Sequence, residues 1–168
     1  MAAATPPPTW HPHGDPSRTR TLFHGLVALS LALGAGVARS QATPVGVWKT
    51  IDDETKKEKS LIRISESGGV LSGKLEKLLD PATAPDAVCK ECTDERKDKP
   101  VLGMTLLRNV RQNDGDKGIW DGGDILDPNN GKVYRVRLKP IDGGARLEVR
   151  GYIGTPMLGR TQTWIRSE

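Results

Sequence analysis

Lys132-Val133-Tyr134-Arg135-Val136-Arg137-Leu138-Lys139 alternates without a break. In an extended chain Tyr134, Val136 and Leu138 share one face and Arg135 and Arg137 the other, so the stretch predicts a strand with one buried and one wet side. After the turn residues Asp142-Gly143-Gly144, Leu147 and Val149 repeat the pattern against Arg146, Glu148 and Arg150. The two runs therefore read as an antiparallel hairpin.

The same reading extends in both directions. Downstream, glycines at 151, 154 and 159 together with Pro156 predict a bent connection into a last strand over 159–166. Upstream, Asp127-Pro128-Asn129-Asn130-Gly131 is a turn, preceded by a strand over 118–126, a turn at Asn113-Asp114-Gly115-Asp116 and a strand over 104–112. A charged segment containing Pro81 and Pro85, residues 80–100, reads as a lid-like loop or a short helix. Before it lie strands over 45–51, 61–66 and 70–78, the last two joined through Ser67-Gly68-Gly69. No long helical period competes. Eight strands with mostly hairpin-length connections predict an all-β fold, an eight-stranded up-and-down antiparallel barrel, because closure removes exposed edges. A two-sheet sandwich is the alternative.

The chain has 168 residues, enough for one small domain. Arg18 and Arg20 precede an apolar run over 22–37, and small residues follow at Ala38, Ser40 and Ala42, the three-part layout of a secretory signal peptide. A membrane helix needs about 20 apolar residues, and this run is shorter and holds His24 and several glycines. Cleavage is expected after Ala42, with Ser40 also fitting. Residues 1–42 are then a signal peptide with an unstructured Pro-rich extension, and 43–168 a barrel domain that is periplasmic or secreted without a stable membrane anchor. No cysteine precedes Cys89, so no lipid-bearing cysteine is expected.

All three histidines, His11, His13 and His24, fall ahead of that cut. The mature chain then lacks an imidazole base and a histidine metal ligand. Removing Arg18, Arg20, Arg39 and Asp15 from 25 basic and 21 acidic residues leaves 22 and 20, a formal net charge of +2. A nearly neutral domain without a basic cluster or an aromatic platform is not expected to bind nucleic acid.

Cys89-Lys90-Glu91-Cys92 lies in a charged loop rather than in the strand-to-helix setting of a thioredoxin-like redox pair. A disulfide between Cys89 and Cys92 is the expectation in an oxidising compartment, with a redox pair or half of a shared metal site as alternatives. Asp121, Asp124 and Asp127, with Asn129 and Asn130, lack the glycine and distal glutamate of a calcium loop and read as turn chemistry. These carboxylates, or Asp52, Asp53 and Glu54, would need to stand about 5 to 9.5 Å apart across a cleft to hydrolyse a glycoside. No catalytic residue, metal or cofactor is expected.

In the last strand Arg160, Gln162, Trp164 and Arg166 share one face, and Thr161, Thr163 and Ile165 the other. If the Trp164 face points inward, Arg160 and Gln162 enter the barrel, where a guanidinium needs a carboxylate, backbone carbonyls or the head of an acidic ligand. If it points outward, it is a solvated face bearing one packed Trp. Both orientations remain open at this point.

Gly46-Val47-Trp48 resembles the Gly-x-Trp signature of lipocalins and their calycin relatives. There the Trp closes one barrel end beneath an Arg from the last strand, a part open here to Arg166 or Arg160. Gly46, Trp48, Trp164 and Arg166 are accordingly expected to be structural. The resemblance widens through Gly46-Val47-Trp48-Lys49-Thr50, Leu78-Leu79-Asp80-Pro81, Glu95-Arg96-Lys97-Asp98-Lys99-Pro100, Ile125-Leu126-Asp127-Pro128, Arg150-Gly151-Tyr152-Ile153-Gly154 and Leu158-Gly159-Arg160-Thr161-Gln162-Thr163-Trp164. Together these segments resemble the exported bacterial family called domain of unknown function 2147, across essentially the whole mature chain. The resemblance implies a lipocalin-like barrel that binds a small, lipid-like molecule, and it implies no reaction. The expected function is binding of an apolar or amphiphilic ligand, with Arg160, Gln162, Tyr152 and Tyr134 as contacts. The alternative is a structural or protein-interaction module of the cell envelope, with a filled barrel and an envelope protein partner held on the 80–100 loop. An enzyme is not expected, since no nucleophile sits in a recognisable motif.

Overall fold

The computed structural model describes residues 42–168. Apart from Ala42, the expected leader lies outside the described residues. The strand segments are β1 (Gly46–Ile51), β2 (Glu58–Ser67), β3 (Val70–Leu78), β4 (Thr105–Gln112), β5 (Trp120–Asp121), β6 (Asp124–Asp127), β7 (Lys132–Ile141), β8 (Arg146–Tyr152) and β9 (Arg160–Arg166). All pairings are antiparallel, β3 pairs with β4, and β9 returns to β1. The sheet therefore closes on itself. Since β5 and β6 both lie between β4 and β7, the fold is an eight-stranded up-and-down barrel rather than a sandwich.

One expected strand, 118–126, is divided into β5 and β6 at Gly122-Gly123. The cause is a close approach of backbones. Asn109 in the facing β4 adopts φ +59°, a left-handed conformation that Asn tolerates, and the β4 backbone at Arg108 and Asn109 crowds Gly123. A Cβ on Gly123 would collide with the Arg108 carbonyl oxygen and the Val110 side chain. The alternation of the remaining strands becomes burial directly. Val136, Leu138 and Leu147 are fully buried, and Val149, Trp164, Ile62, Ile64 and Leu71 are nearly so.

One end of the barrel is closed. Trp48 is fully buried and donates its Nε1 hydrogen to Pro44 O at 2.6 Å, while the Arg166 guanidinium stands 4.2 Å from the centre of its ring. Arg166 also donates to Thr43 O at 2.7 Å, Val45 O at 2.9 Å and Gly144 O at 2.5 Å. Burying roughly 150 to 250 Å² of Trp stabilises the plug by about 4 to 6 kcal/mol.

The opposite end gathers the β1–β2 turn, the β3–β4 segment, the β6–β7 turn and the β8–β9 connection. The β3–β4 segment forms turns rather than a helix, with one isolated bridge between Val88 and Pro100. Two devices hold it. A disulfide joins Cys89 to Cys92, both buried, and Arg96, only 5% exposed, reaches Asp94 and donates to Thr105 O at 3.1 Å.

Candidate functional site: a cup at the open end

Beneath those loops lies a cavity of about 820 Å³. Its deeper wall is apolar, with Ile62, Leu75, Leu106, Leu126, Val149 and Trp164 supplied by the inward positions of six different strands. Its rim is charged and polar, built from Asp52, Asp53, Glu54, Lys59, Asp127 and Arg160. The division follows from strand period and height. Inward positions near the strand middles are apolar, whereas strand ends pass into turns that require Asp, Asn and Gly.

All four expected contact residues, Tyr134, Tyr152, Arg160 and Gln162, line this cavity. On β9 the Trp164 face points inward, and Thr161, Thr163 and Ile165 are exposed. The Trp164 Nε1 hydrogen goes to Gln162 Oε1 at 3.2 Å, so Gln162 meets the cavity with its carbonyl oxygen already engaged. Arg160 stands at the rim rather than inside, with 68% of its side chain exposed, and its Nη2 lies 2.6 Å from Asp53 Oδ2.

That ion pair spans a gap in the wall. The β1–β9 ladder runs only through Trp48 with Arg166 and Lys49 with Ile165, so above Lys49 the two strands are not hydrogen-bonded to each other. Asp53, just past the end of β1, and Arg160 from the start of β9 bridge the splayed strands. Asp53 Oδ2 is shut off from solvent and, apart from this ion contact, has no hydrogen-bond partner.

The second rim cation is also engaged, since Lys59 Nζ lies 3.1 Å from Asp80 and 3.9 Å from Asp52. Asp52 caps its own turn, accepting from Thr55 N at 2.7 Å and Thr55 Oγ1 at 2.8 Å, and these bonds hold its carboxyl below the usual carboxylate range. The Ala82 amide, followed by Lys59, lowers Asp80 in the same way. Across the mouth Asp127 accepts from Asn129 N at 3.0 Å and Asn130 Nδ2 at 3.0 Å, and Asn130 Nδ2 also donates to the Tyr134 hydroxyl oxygen at 3.2 Å. Asp127 thus meets neutral donors only, and in the described ion pairs neither it nor Glu54 has a cation. Asp121 and Asp124, on β5 and β6, do not line the cavity. Among the described residues no three acidic or sulfur side chains are gathered for a metal ion.

The disulfide packs at the mouth of the cavity. Cys89 Sγ lies 3.5 Å from Pro128 O, a Cβ on Gly131 would strike the Glu91 carbonyl oxygen, and the neighbouring Ala87 and Val88 line the cavity. On the far lip Arg150 holds the β8–β9 connection, donating to Pro156 O at 2.6 Å, Met157 O at 3.2 Å and Thr161 Oγ1 at 2.7 Å. Ile153 and Leu158 line the lip while remaining largely exposed. Sequence reasoning missed the Asp94–Arg96 anchor, because alternating charges in a loop read as solvated surface. The signal available was an Asp two residues before an Arg in a segment with few apolar groups to hold it down.

Residues 46–166 match the family model described as "Uncharacterized protein conserved in bacteria (DUF2147)". The chain belongs to the DUF2147 family. Among solved structures, the DUF2147 chain is similar to one described as "Protein HP1028 from the human pathogen Helicobacter pylori belongs to the lipocalin family". The two share 22% identity over 76% of this chain and 84% of that one, with a TM-score of 0.64. That likeness shows a lipocalin-like fold for this DUF2147 member. No curated protein matches the chain. Among the described residues no helix is long and apolar enough to cross a membrane.

Proposed function

We infer that this DUF2147 protein is an exported binding protein that takes up one small amphiphilic molecule, tail down in the barrel and head at the rim. The observation that carries this reading is the cavity itself. At about 820 Å³ it falls within the roughly 300 to 1,000 Å³ of small-molecule sites, and its apolar depth and polar mouth are the division such sites use. The same open interior speaks against the filled barrel on which the interaction-module alternative depends. Export is supported by the leader-like residues 18–42 and by the Cys89–Cys92 disulfide, which persists in an oxidising compartment. Binding without catalysis is supported by the mouth carboxylates, of which Asp52 and Asp127 are committed to turns and Asp53 to an ion pair.

Native mass spectrometry of the protein purified from a periplasm without reductant tests the reading. Extra mass that denaturation releases is the expected result. A bare chain that also takes up no added amphiphile would sink it.

A further inference from the structure

The rim's charge balance says which head the cavity accepts, an inference that rests on the binding role just proposed. Four carboxylates, Asp52, Asp53, Glu54 and Asp127, and two cations, Lys59 and Arg160, line the cavity. Both cations already face carboxylates, Arg160 at 2.6 Å from Asp53 and Lys59 at 3.1 Å from Asp80. An acidic head arriving at Arg160 would either share its guanidinium with Asp53 at a rim that already carries more carboxylates than cations, or displace Asp53 and leave that carboxylate unpaired in a wall where one of its oxygens is closed to water. Losing the partner of a desolvated charge is costly. A head carrying N–H donors and positive charge meets the reverse situation. Among the described residues Asp53 meets Arg160 through Oδ2 alone, Asp127 holds only neutral donors, and the Tyr134 oxygen beside it accepts from Asn130 alone. Tyr134 and Tyr152 also line the cavity, and aromatic rings suit a cation.

We propose that the cavity selects an amphiphile with a protonated amine head over one with a carboxylate head, Asp53 and Asp127 being the acceptors and Arg160 a latch on Asp53 rather than an anion receptor. The reading differs from the acid-headed ligand that an inward Arg160 implies from sequence, because the sequence does not reveal that Asp53 occupies the guanidinium.

The test is calorimetric titration of the intact purified protein, at pH 7 and below the aggregation concentration of each probe, with dodecylamine, dodecanoate and dodecanol. Matched tails isolate the head. The expected result is dodecylamine bound at least tenfold more tightly than dodecanoate, with dodecanol between them. Arg160→Gln should tighten dodecylamine further, since Asp53 loses its competitor, and Asp53→Asn should shift preference towards dodecanoate by freeing Arg160. Equal binding of all three probes, or dodecanoate strongest, would overturn the head-group assignment while leaving the cavity role standing. Weaker dodecylamine binding by a folded Arg160→Gln protein would overturn the latch. Binding of none of the three would overturn the cavity role together with the inference.

Discussion

The Arg166 guanidinium lies 4.2 Å over the Trp48 ring, and Gly46 is what gives it room. A Cβ on Gly46 would collide with Arg166 Nη1, and the Gly46 φ of +139° is one that other residues rarely adopt. The three residues therefore form one device, in which the Trp fills the barrel end, the Arg covers it and satisfies carbonyls of the segment ahead of β1 and of the β7–β8 turn, and the Gly lets the strand pass beneath. Burial lowers the Arg166 pKa, and a guanidinium keeps its charge in a folded protein.

Arg166→Ala removes the cation-π contact and leaves the Thr43, Val45 and Gly144 carbonyls without their donor. A loss of about 2 to 4 kcal/mol is expected in urea denaturation, with Arg166→Lys losing less. Gly46→Ala should be comparably destabilising through strain and collision. Unchanged urea midpoints would show that the plug carries no stability.

Acidification should weaken the fold, and Asp94 is the clearest contributor. Arg96, first through its side chain and then through its amide, holds the Asp94 carboxyl down to about 2 from an ordinary 3.8. The unfolded chain therefore takes up the proton first as pH falls. The stability this pair contributes is whole above about pH 4 and drains away as pH drops towards 2, and Asp52, Asp80 and Glu95 shift in the same direction. With the partial exposure of Asp94 discounted, the pair is worth on the order of 1 to 2 kcal/mol. Asp94→Asn should lower the urea midpoint at pH 7 and flatten its fall between pH 4 and 2. An identical pH profile in the variant would refute the assignment.

Period-two alternation made the barrel strands legible in the sequence, since Val136, Leu138, Leu147 and Val149 could be buried only if β7 and β8 stood as half-wet strands. The Gly122-Gly123 break was not legible, because it depends on how closely the β4 backbone at Arg108 and Asn109 approaches Gly123. The candidate contacts were legible in part. Period two placed Arg160, Gln162 and Trp164 on one face, but it could not show that Arg160 reaches the rim, or that it meets Asp53 across a seam closing the chain's two ends. Non-local pairing of this kind leaves no trace in spacing. Arg96 was hidden for the related reason that its Thr105 partner begins the next strand.

Reduction of Cys89–Cys92 should loosen the mouth and spare the barrel. A ring this short is worth at most roughly 2 kcal/mol in chain entropy, so the melting temperature should fall by a few degrees. The faster amide exchange should be confined to residues 87–101, which fold over the cavity, and to the β6–β7 turn packed against the disulfide. Exchange spreading into β7 and β8 would mean that the staple supports the whole fold instead.

Ala87 offers a way to separate the cavity from the fold. It is half-buried, lines the cavity from the disulfide loop and lies outside the barrel strands. Ala87→Trp directs a large side chain into the space a ligand tail would occupy, and it disturbs none of the ladders that close the sheet. Thermal unfolding should then stay within a few degrees of the parent protein, while uptake of a matched-tail amphiphile falls at least tenfold. The same substitution on a barrel whose ligand sat elsewhere would leave uptake unchanged, so titrating the folded variant decides whether the cup beneath the disulfide loop is the binding site.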